Sequence, residues 1–385
     1  MQGITQYGSI FTIFLFTLLL IPAIGLNLLK VRSKYYGILL SIPMYVLIMG
    51  TAGIQLKLCV VFLICELFLI YGYYYIAKRT TSVLIYFVVL ALSMLPIFVV
   101  KLAVYTPYSY IGFIGISYIS FRIWQIIIEI RDGHIKSLNF FDTLYFITFF
   151  PTLSSGPIDR YDQFIDNINQ SIPRKVYVSE YVWIGFAKIL RGIVYKFGFA
   201  FLINKYIILA LPEEHTFLTT LIYMYAYTLY LFFDFAGYSN LAIGSGYILG
   251  IKVRENFNKP FLAHNMKEFW ERWHISLSTW LGDYVFKRFV LNNIRNGLFK
   301  SKKYAARTGN IVTMLVMGIW HGPYLFYIVY GLYQGVALVF TDIYLKSKVY
   351  KKFKTKPYYD FVSRIMCFQV IAFGMLLFSG YLFAF

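Results

Sequence analysis

Long runs of apolar residues recur along almost the whole of this 385-residue chain. A helix needs about 20 predominantly apolar residues to cross the hydrocarbon core of a bilayer. A membrane β-barrel would instead alternate apolar and polar residues within segments of about ten. The sequence therefore predicts an all-α polytopic membrane protein with about eleven spanning helices, since some runs are short or interrupted. The runs lie near residues 8–29, 36–54, 58–77, 82–103, 110–130, 140–153, 182–211, 216–233, 235–251, 309–322, 323–345 and 361–384.

The composition excludes several other classes of protein. Apolar residues make up 59% of the chain and charged residues 14%, whereas a soluble domain carries about a quarter charged residues. A soluble globular enzyme and a disordered chain are therefore excluded. Cys59, Cys65 and Cys367 all lie in apolar runs, which argues against a disulfide framework or a zinc site. We expect no metal site of any kind.

The distribution of lysine and arginine predicts which side of the membrane each loop faces. Cytoplasmic loops carry the excess of these residues, and here the excess alternates correctly along the first five spans. The amino terminus should therefore face outside, and the lysine-rich stretch 346–356 should be cytoplasmic. The basic residues after the first, third and fifth spans are Lys30, Arg32, Lys34, Lys78, Arg79, Arg131 and Lys136, against Lys57 and Lys101 in the intervening loops.

The net charge of +19 has two interpretations that composition does not separate. Basic loops attract the anionic headgroups of membrane lipids, at about 1 kcal/mol per residue near the surface. They would also attract an acidic cytoplasmic partner protein, because complementary charge speeds association. Nucleic acid is not expected as a partner, since the basic residues are scattered over many short loops.

The longest polar region, residues 252–307, should contain a helix that does not cross the membrane. Residues 265–284 have helical periodicity, with Trp270, Trp273 and Trp280 on one stripe. The charged residues beside this stripe make the helix too polar to span a bilayer. We expect it to lie in the membrane interface or to dip into the protein.

The same helix should carry a histidine of interest. Asn265 should cap its start, with Glu268 completing a capping box. On a continuous helix His274 would neighbour Glu271 and Ser278. An interfacial anchor explains the tryptophans but not this histidine.

His321 is the strongest candidate for chemistry. It is the only ionisable residue other than tyrosines in TMLVMGIWHGPYLFYIVYGLYQG, and an ionisable group at membrane depth marks a functional site by default. Gly318, Gly322 and Pro323 should break the helix around it, which is tolerated only where the backbone is buried in protein or lines a wet cavity. An imidazole in that setting can move a proton near neutral pH. The alternative is a structural histidine bonded across helices.

A buried carboxylate and three loop histidines complete the ionisable candidates. Asp234, in LYLFFDFAGYSN, either orients a catalytic group or pairs with a basic side chain, and we favour pairing. Its candidate partners are Arg122, Lys188 and Arg191. The histidines expected to be solvated surface residues are His134, His215 and His264.

Several long motifs resemble those of the membrane-bound O-acyltransferase (MBOAT) family. They are FFDFAGYSNLAIGSGYILGI, NFNKPFLAHNMKEFWERWHISLSTWLGDY and GIWHGPYLFYIVYGLYQG, with GISYISFRIWQIIIEI and NFFDTLYFITFFPTLSSGPIDRY upstream. The resemblance implies N-terminal membrane helices over 1–114, a catalytic core over 115–345, and a basic loop with a last membrane helix over 346–385. Within the family, the chain looks like the bacterial members that attach D-alanine to teichoic acids.

The resemblance also implies an arrangement and a set of site residues. Membrane helices would form a ring around a thin, funnel-like centre, with short interfacial or re-entrant helices. The two motif histidines of the family map to His274 and His321, and His321 would be the principal catalytic residue. Asp234, Ser278 and Trp320 are candidate supporting residues.

The reaction implied by the resemblance is acyl transfer across the membrane. The donor would be a D-alanyl thioester on the phosphopantetheine arm of a small acidic carrier protein in the cytoplasm, and no cofactor would be bound permanently. The acceptor hydroxyl would lie outside, on lipoteichoic acid or on a membrane-anchored partner protein that relays the acyl group. The expected location is the cytoplasmic membrane of a Gram-positive bacterium.

Three other functions remain as alternatives. The first is an O-acetyltransferase for an exported polysaccharide, as in the similar alginate O-acetyltransferases. The second is a transporter with His321 and Asp234 as a proton relay, although a transporter does not need the second histidine, His274. The third is a non-catalytic scaffold whose basic loops recruit the carrier protein.

Overall fold

The computed structural model describes residues 6–31, 33–50, 53–108 and 110–383. Arg32, one of the basic residues used to orient the chain, lies outside these ranges. Within them every regular element is a helix, apart from one isolated antiparallel bridge between Phe257 and Trp273. The all-α prediction is confirmed. The chain divides into two compact units, Met1–Val194 with Gly237–Arg254, and Tyr195–Ala236 with Glu255–Phe385.

The first unit is built from apolar helices joined by short loops. Its α-helices are α1 (Ile10–Leu28), α2 (Lys34–Met49), α3 (Gln55–Ala77), α4 (Val83–Leu102), α5 (Ile116–Arg131), α6 (Phe140–Thr148), α7 (Tyr161–Asn169), α8 (Arg174–Val176) and α9 (Trp183–Ile193). The carboxyl-terminal part of α11 (Phe217–Ile248) also belongs to this unit.

The second unit contains the rest of α11 and both polar and apolar helices. Its other α-helices are α10 (Phe201–Ile203), α12 (Met266–Trp270), α13 (Ile275–Leu281), α14 (Lys287–Arg295), α15 (Lys302–His321), α16 (Leu325–Leu345), α17 (Lys348–Phe353) and α18 (Tyr359–Phe378). Along the chain π-helical segments occur at Tyr177–Val182, Val194–Ala200, Asn204–Ile208 and Gly282–Phe286, and 3₁₀ turns at Ala103–Tyr105, Phe150–Thr152, Pro260–Leu262 and Tyr381–Phe383.

Helices long and apolar enough to cross a bilayer identify an integral membrane protein. Five described segments meet that condition, namely Ile10–Leu28, Gln55–Ala77, Val83–Tyr105, Leu325–Leu345 and Tyr359–Phe378. The count of about eleven spans stays a prediction.

One detail of the predicted spans is wrong. The apolar runs 216–233 and 235–251 were expected to be separate, but α11 passes through both without a break. Asp234 lies inside this helix, and its carboxylate forms a salt bridge with Lys196. A paired charge can stay on a helix that an unpaired one would destabilise.

The buried guanidinium of Arg122, on α5, organises the core of the first unit. Its Nη1 donates to the backbone carbonyls of Phe146 and Ile147 at 3.1 and 2.9 Å. It also donates to the carbonyl of Phe149 at 3.3 Å, and Nη2 donates to that of Thr152 at 2.9 Å. These carbonyls lie at and just beyond the end of α6, where helical backbone lacks internal donors. Arg122 therefore caps α6 with a positive charge, which the helix dipole favours.

We expect Arg122→Met to destabilise the protein by about 3 kcal/mol, because buried carbonyl oxygens would lose their donors. The measurement is the midpoint of thermal unfolding of the purified protein in detergent. Arg79→Met is the matched control, since Arg79 is exposed, and it should leave the midpoint unchanged. Equal midpoints for the two variants would contradict the capping role of Arg122.

Candidate active site

The segment predicted as one helix over 265–284 is instead two short helices with a turn between them. α12 ends at Trp270 and α13 begins at Ile275, and His274 adopts a left-handed backbone conformation with φ 45° and ψ 50°. The expected position of His274 on a helix face beside Glu271 is therefore wrong. A side chain with a β-carbon adopts this conformation at a cost of about 1 kcal/mol or more, so the surroundings must fix it.

A buried asparagine fixes the turn. The side-chain carbonyl of Asn256 accepts hydrogen bonds from the Ser276 hydroxyl at 2.6 Å and from the Ser276 backbone N–H at 3.3 Å. The backbone carbonyl of Asn256 accepts from the Ile275 N–H at 3.0 Å. With the neighbouring bridge between Phe257 and Trp273, these bonds tie both sides of His274 to the preceding loop.

Ser278 supports the same turn from the other side. Its backbone N–H donates to the carbonyl of His274 at 2.9 Å, and its hydroxyl donates to the carbonyl of Trp273 at 3.1 Å. The first turn of α13 is thereby closed onto His274. In this structure Ser278 contributes to the backbone around the histidine.

The predicted cap of α12 is present, but the predicted capping box is not. Asn265 accepts the Glu268 N–H at 3.1 Å through its side chain. The Glu268 carboxylate does not accept a hydrogen bond from the Asn265 backbone N–H. It accepts instead from the His264 backbone N–H at 2.9 Å and pairs with Arg272 at 2.7 Å.

His264 is not the solvated surface residue that was expected. Its ring is about three-quarters buried and lies 2.8 Å from Glu268 through Nδ1. Its Nε2 pairs with Asp360 at the start of α18, and Arg364 lies 3.2 Å from the same atom. The His264 ring is buried because these charged side chains surround it. His134 and His215 are exposed, as predicted.

His274 is buried, with 4% of its surface exposed. The His274 ring packs edge-to-face against the Phe235 ring, with ring centres 4.7 Å apart. Burial lowers the pKa of His274 well below its ordinary value of 6.5, and the nearby charge of His321 lowers it further. His274 is therefore a neutral imidazole at physiological pH, and a positive charge on His321 would oppose its protonation.

His321 ends α15, as its flanking residues predict. Gly322 follows in extended backbone, and α16 begins two residues after Pro323. A side chain at Gly322 would meet the Tyr327 ring at 2.8 Å, so the chain passes close to that ring. The helix break places the imidazole at the helix end, where it is half-buried.

Gly318 has a different role from the one predicted. It lies inside α15 and does not break it. A β-carbon there would stand 2.3 Å from the carbonyl oxygen of Tyr327, and one at Gly331 would stand 2.5 Å from that of Met314. The two glycines therefore let α15 and α16 pack backbone to backbone, which is a common use of small residues between membrane helices.

Aromatic rings surround the imidazole of His321. The ring centre of Trp320 lies 4.7 Å away, that of Phe378 4.9 Å and that of Tyr327 5.7 Å. Tyr330 lies further off, at 6.4 Å. Trp320 lies beside the imidazole, and its supporting role stays a prediction. Tyr327, Tyr330 and Phe378 were missed because aromatic residues are too frequent in this chain to stand out.

Asp234 pairs with a basic side chain, as favoured, but the partner was not foreseen. That partner is Lys196, in the π-helical segment Val194–Ala200. Of the residues considered as partners, Arg122 instead caps α6. Asp234 is therefore held by a structural salt bridge. In the described part of the chain, His, Cys, Asp and Glu side chains form no group of three or more that could hold a metal ion.

Comparison with known sequences identifies the family. Residues 70–381 match the sequence model of MBOAT, the membrane-bound O-acyltransferase family. The chain belongs to this family. As a member it is an integral membrane O-acyltransferase, and His274 and His321 lie within the matched region.

Several relatives align along nearly the whole chain. A teichoic acid D-alanyltransferase of Bacillus subtilis is 38% identical over 98% of both chains. One of Streptococcus thermophilus is 35% identical, covering 98% of this chain and 95% of the relative. A protein of Pseudomonas syringae named probable alginate O-acetylase is 33% identical, covering 69% of this chain and 49% of the relative.

The burial of His274 should make the stability of the protein depend on pH. Because its pKa is lowered in the folded state, the unfolded chain binds more protons there as pH falls through about 6.5, which favours unfolding. Above that pH both states are neutral and the effect vanishes. The midpoint temperature of thermal unfolding should therefore decrease as the pH is lowered from about 7 to about 5.

The variant His274→Gln tests the origin of that pH dependence. It should reduce the difference between the midpoints at the two pH values, because glutamine does not titrate. His134→Gln, at an exposed position, should keep the wild-type difference. A pH dependence unchanged in His274→Gln would show that His274 is not buried neutral.

Proposed function

We propose that this enzyme transfers D-alanyl groups from a thioester donor to a hydroxyl acceptor in the modification of teichoic acids. The observation that carries the proposal is that one unit contains both a buried imidazole in a fixed turn and a second imidazole at a helix break. The choice of acyl group rests on the full-length relatives named teichoic acid D-alanyltransferase. The alginate relative aligns over half its own length, which supports polysaccharide O-acetylation less well.

His321 is proposed as the general base. It takes the proton of the acceptor hydroxyl while the hydroxyl oxygen attacks the thioester carbonyl carbon. The carbon–oxygen bond forms, the carbon–sulfur bond breaks, and the leaving thiolate recovers the proton from the imidazolium. Such assistance contributes roughly 10²–10⁴ in rate.

His274 is proposed to act on the carbonyl rather than on the hydroxyl. A neutral imidazole carries one N–H, which can donate to the thioester oxygen as negative charge develops there, or can position the acceptor. Its fixed backbone suits this role, because donors that need no reorganisation stabilise a transition state best. Ser278 and Trp320 would support the two histidines, and Asp234 would keep a structural role.

The proposed donor is the phosphopantetheine arm of a small acidic carrier protein in the cytoplasm, with no permanently bound cofactor. Complementary charge supports this partner, since the chain carries a net charge of +19. The acceptor hydroxyl would lie on lipoteichoic acid or on a membrane-anchored extracellular partner that relays the acyl group. The expected location is the cytoplasmic membrane, with the amino terminus outside.

We further propose that about eleven segments cross the membrane around a thin, funnel-like centre. The length of α11 supports additional spans beyond the five most apolar helices. Its 32 residues extend about 48 Å, more than the roughly 30 Å of a hydrocarbon core. A thin centre would let the carrier's arm and the acceptor meet from opposite sides.

The test is reconstitution of the full chain with acyl-loaded carrier, following both loss of thioester and appearance of acceptor ester. His321→Ala should lower ester formation at least about 100-fold, because the general base is lost. His134→Ala, at an exposed position, should retain the wild-type rate. Cells carrying His321→Ala should insert the protein but lose envelope D-alanine ester, and wild-type ester content there would contradict the assignment.

The same preparations separate the remaining alternatives. A transporter with His321 and Asp234 as a proton relay predicts substrate uptake into vesicles that contain no carrier protein. The salt bridge from Asp234 to Lys196 argues against such a relay. A scaffold predicts that His321→Ala keeps both carrier binding and ester formation.

A further inference from the structure

A long apolar groove lies between α16 and α18 in the second unit. Its volume is about 720 Å³, and neither His274 nor His321 lines it. Nearly all of its accessible lining is apolar. From α16 the lining includes Tyr333, Ala337 and Tyr344, and from α18 it includes Tyr359, Met366 and Val370.

The length of the groove corresponds to one leaflet of a bilayer. The lining runs from Tyr333 to Tyr344 on α16 and from Tyr359 to Val370 on α18. At 1.5 Å per residue each stretch covers about 16 Å, and half of a hydrocarbon core is about 15 Å. Both helices are among those apolar enough to span a membrane. A lipid acyl chain matches this length, and it would supply the contacts that an empty groove lacks.

The groove ends at a strongly basic segment. Phe353 and Tyr358 line this end, and they belong to the connection between α16 and α18, residues 346–358. Among the residues that the structure describes, its lysines from 348 onward are exposed and make no ion pair with a carboxylate. They are Lys348, Lys351, Lys352, Lys354 and Lys356.

The carboxylates near this end are already neutralised by other cations. Asp342 pairs with Arg307 at 2.8 Å and also with Lys346. Asp360 pairs with Arg364 at 2.9 Å, and Glu268 pairs with Arg272. The exposed lysines therefore have positive charge available for an external anion at the depth where lipid headgroups lie.

We propose that this groove is a binding site for an anionic phospholipid. One acyl chain lies between α16 and α18, and the phosphate lies among Lys351, Lys352 and Lys354. Each surface lysine strengthens attraction to an anionic headgroup about fivefold, so the headgroup charge selects the lipid and the groove holds the chain. The site is separate from the proposed acyl-transfer chemistry, because binding needs neither donor nor acceptor.

Native mass spectrometry of the full-length protein tests the proposal. The purified protein is mixed with equimolar phosphatidylglycerol and phosphatidylcholine that carry the same acyl chains. Wild type should retain phosphatidylglycerol in at least about fivefold excess. Changing Lys351, Lys352 and Lys354 together to glutamine should lower the apparent affinity for phosphatidylglycerol at least about tenfold and abolish the preference. The control triple, Lys300, Lys302 and Lys303 to glutamine, removes the same charge from another exposed segment and should keep the preference.

A second pair of variants tests the groove itself. Ala337→Trp should fill it and reduce binding of both lipids at least about tenfold, because the acyl chain loses its place. Ala91→Trp, on the exposed face of α4, should bind lipid like wild type. The lysine variants lie on the surface and remain informative if Ala337→Trp fails to fold.

Three results would overturn the lipid assignment. One is equal retention of the two lipids by wild type. Another is full displacement of phosphatidylglycerol by millimolar inorganic phosphate, which would make the basic segment a phosphate site. The last is a lipid-free dimer that Ala337→Trp dissociates, which would mean that a second copy of the chain covers the groove. Each of these results can be obtained whether or not the protein transfers D-alanine, so the lipid test is independent of the proposed function.

Discussion

The cost of burying a polar group without partners governs this structure. In a chain with so few charged residues, each one taken away from water must be neutralised or hydrogen-bonded within the protein. Arg122 meets this condition by donating to carbonyls at the end of α6. Asp234, within α11, meets it through Lys196. Arg122 and Asp234 are thereby accounted for by the fold.

His274 and His321 differ because their backbones differ. His274 is fixed in a left-handed turn by hydrogen bonds between Asn256 and Ser276, and it is buried. His321 stands at a helix end and is half-buried. Burial keeps the first imidazole uncharged, so a charge on the second meets less repulsion than it would beside another cation. That asymmetry suits one proton-transferring group and one hydrogen-bond donor.

The sequence predicted the features that depend on local chemistry. The helix ends after His321 because Gly322 and Pro323 follow it, and the all-α class follows from the continuous apolar runs. Features that depend on distant contacts were not predictable. The tryptophan stripe around Trp273 is typical of one helix, but the bridge to Phe257 breaks it. The partner of Asp234 likewise depended on which lysine the fold brings close.

Packing explains why a helix break can hold the imidazole of His321 firmly. Gly318 and Gly331 bring α15 and α16 into backbone contact, so the two helices cannot slide without a clash. The break at Gly322 therefore frees backbone groups at one point without loosening the helices on either side. Because the rings of Trp320 and Phe378 lie within 5 Å of the imidazole, they limit its rotation. The packed helices thus hold the imidazole in place, while the break between them frees backbone groups beside it.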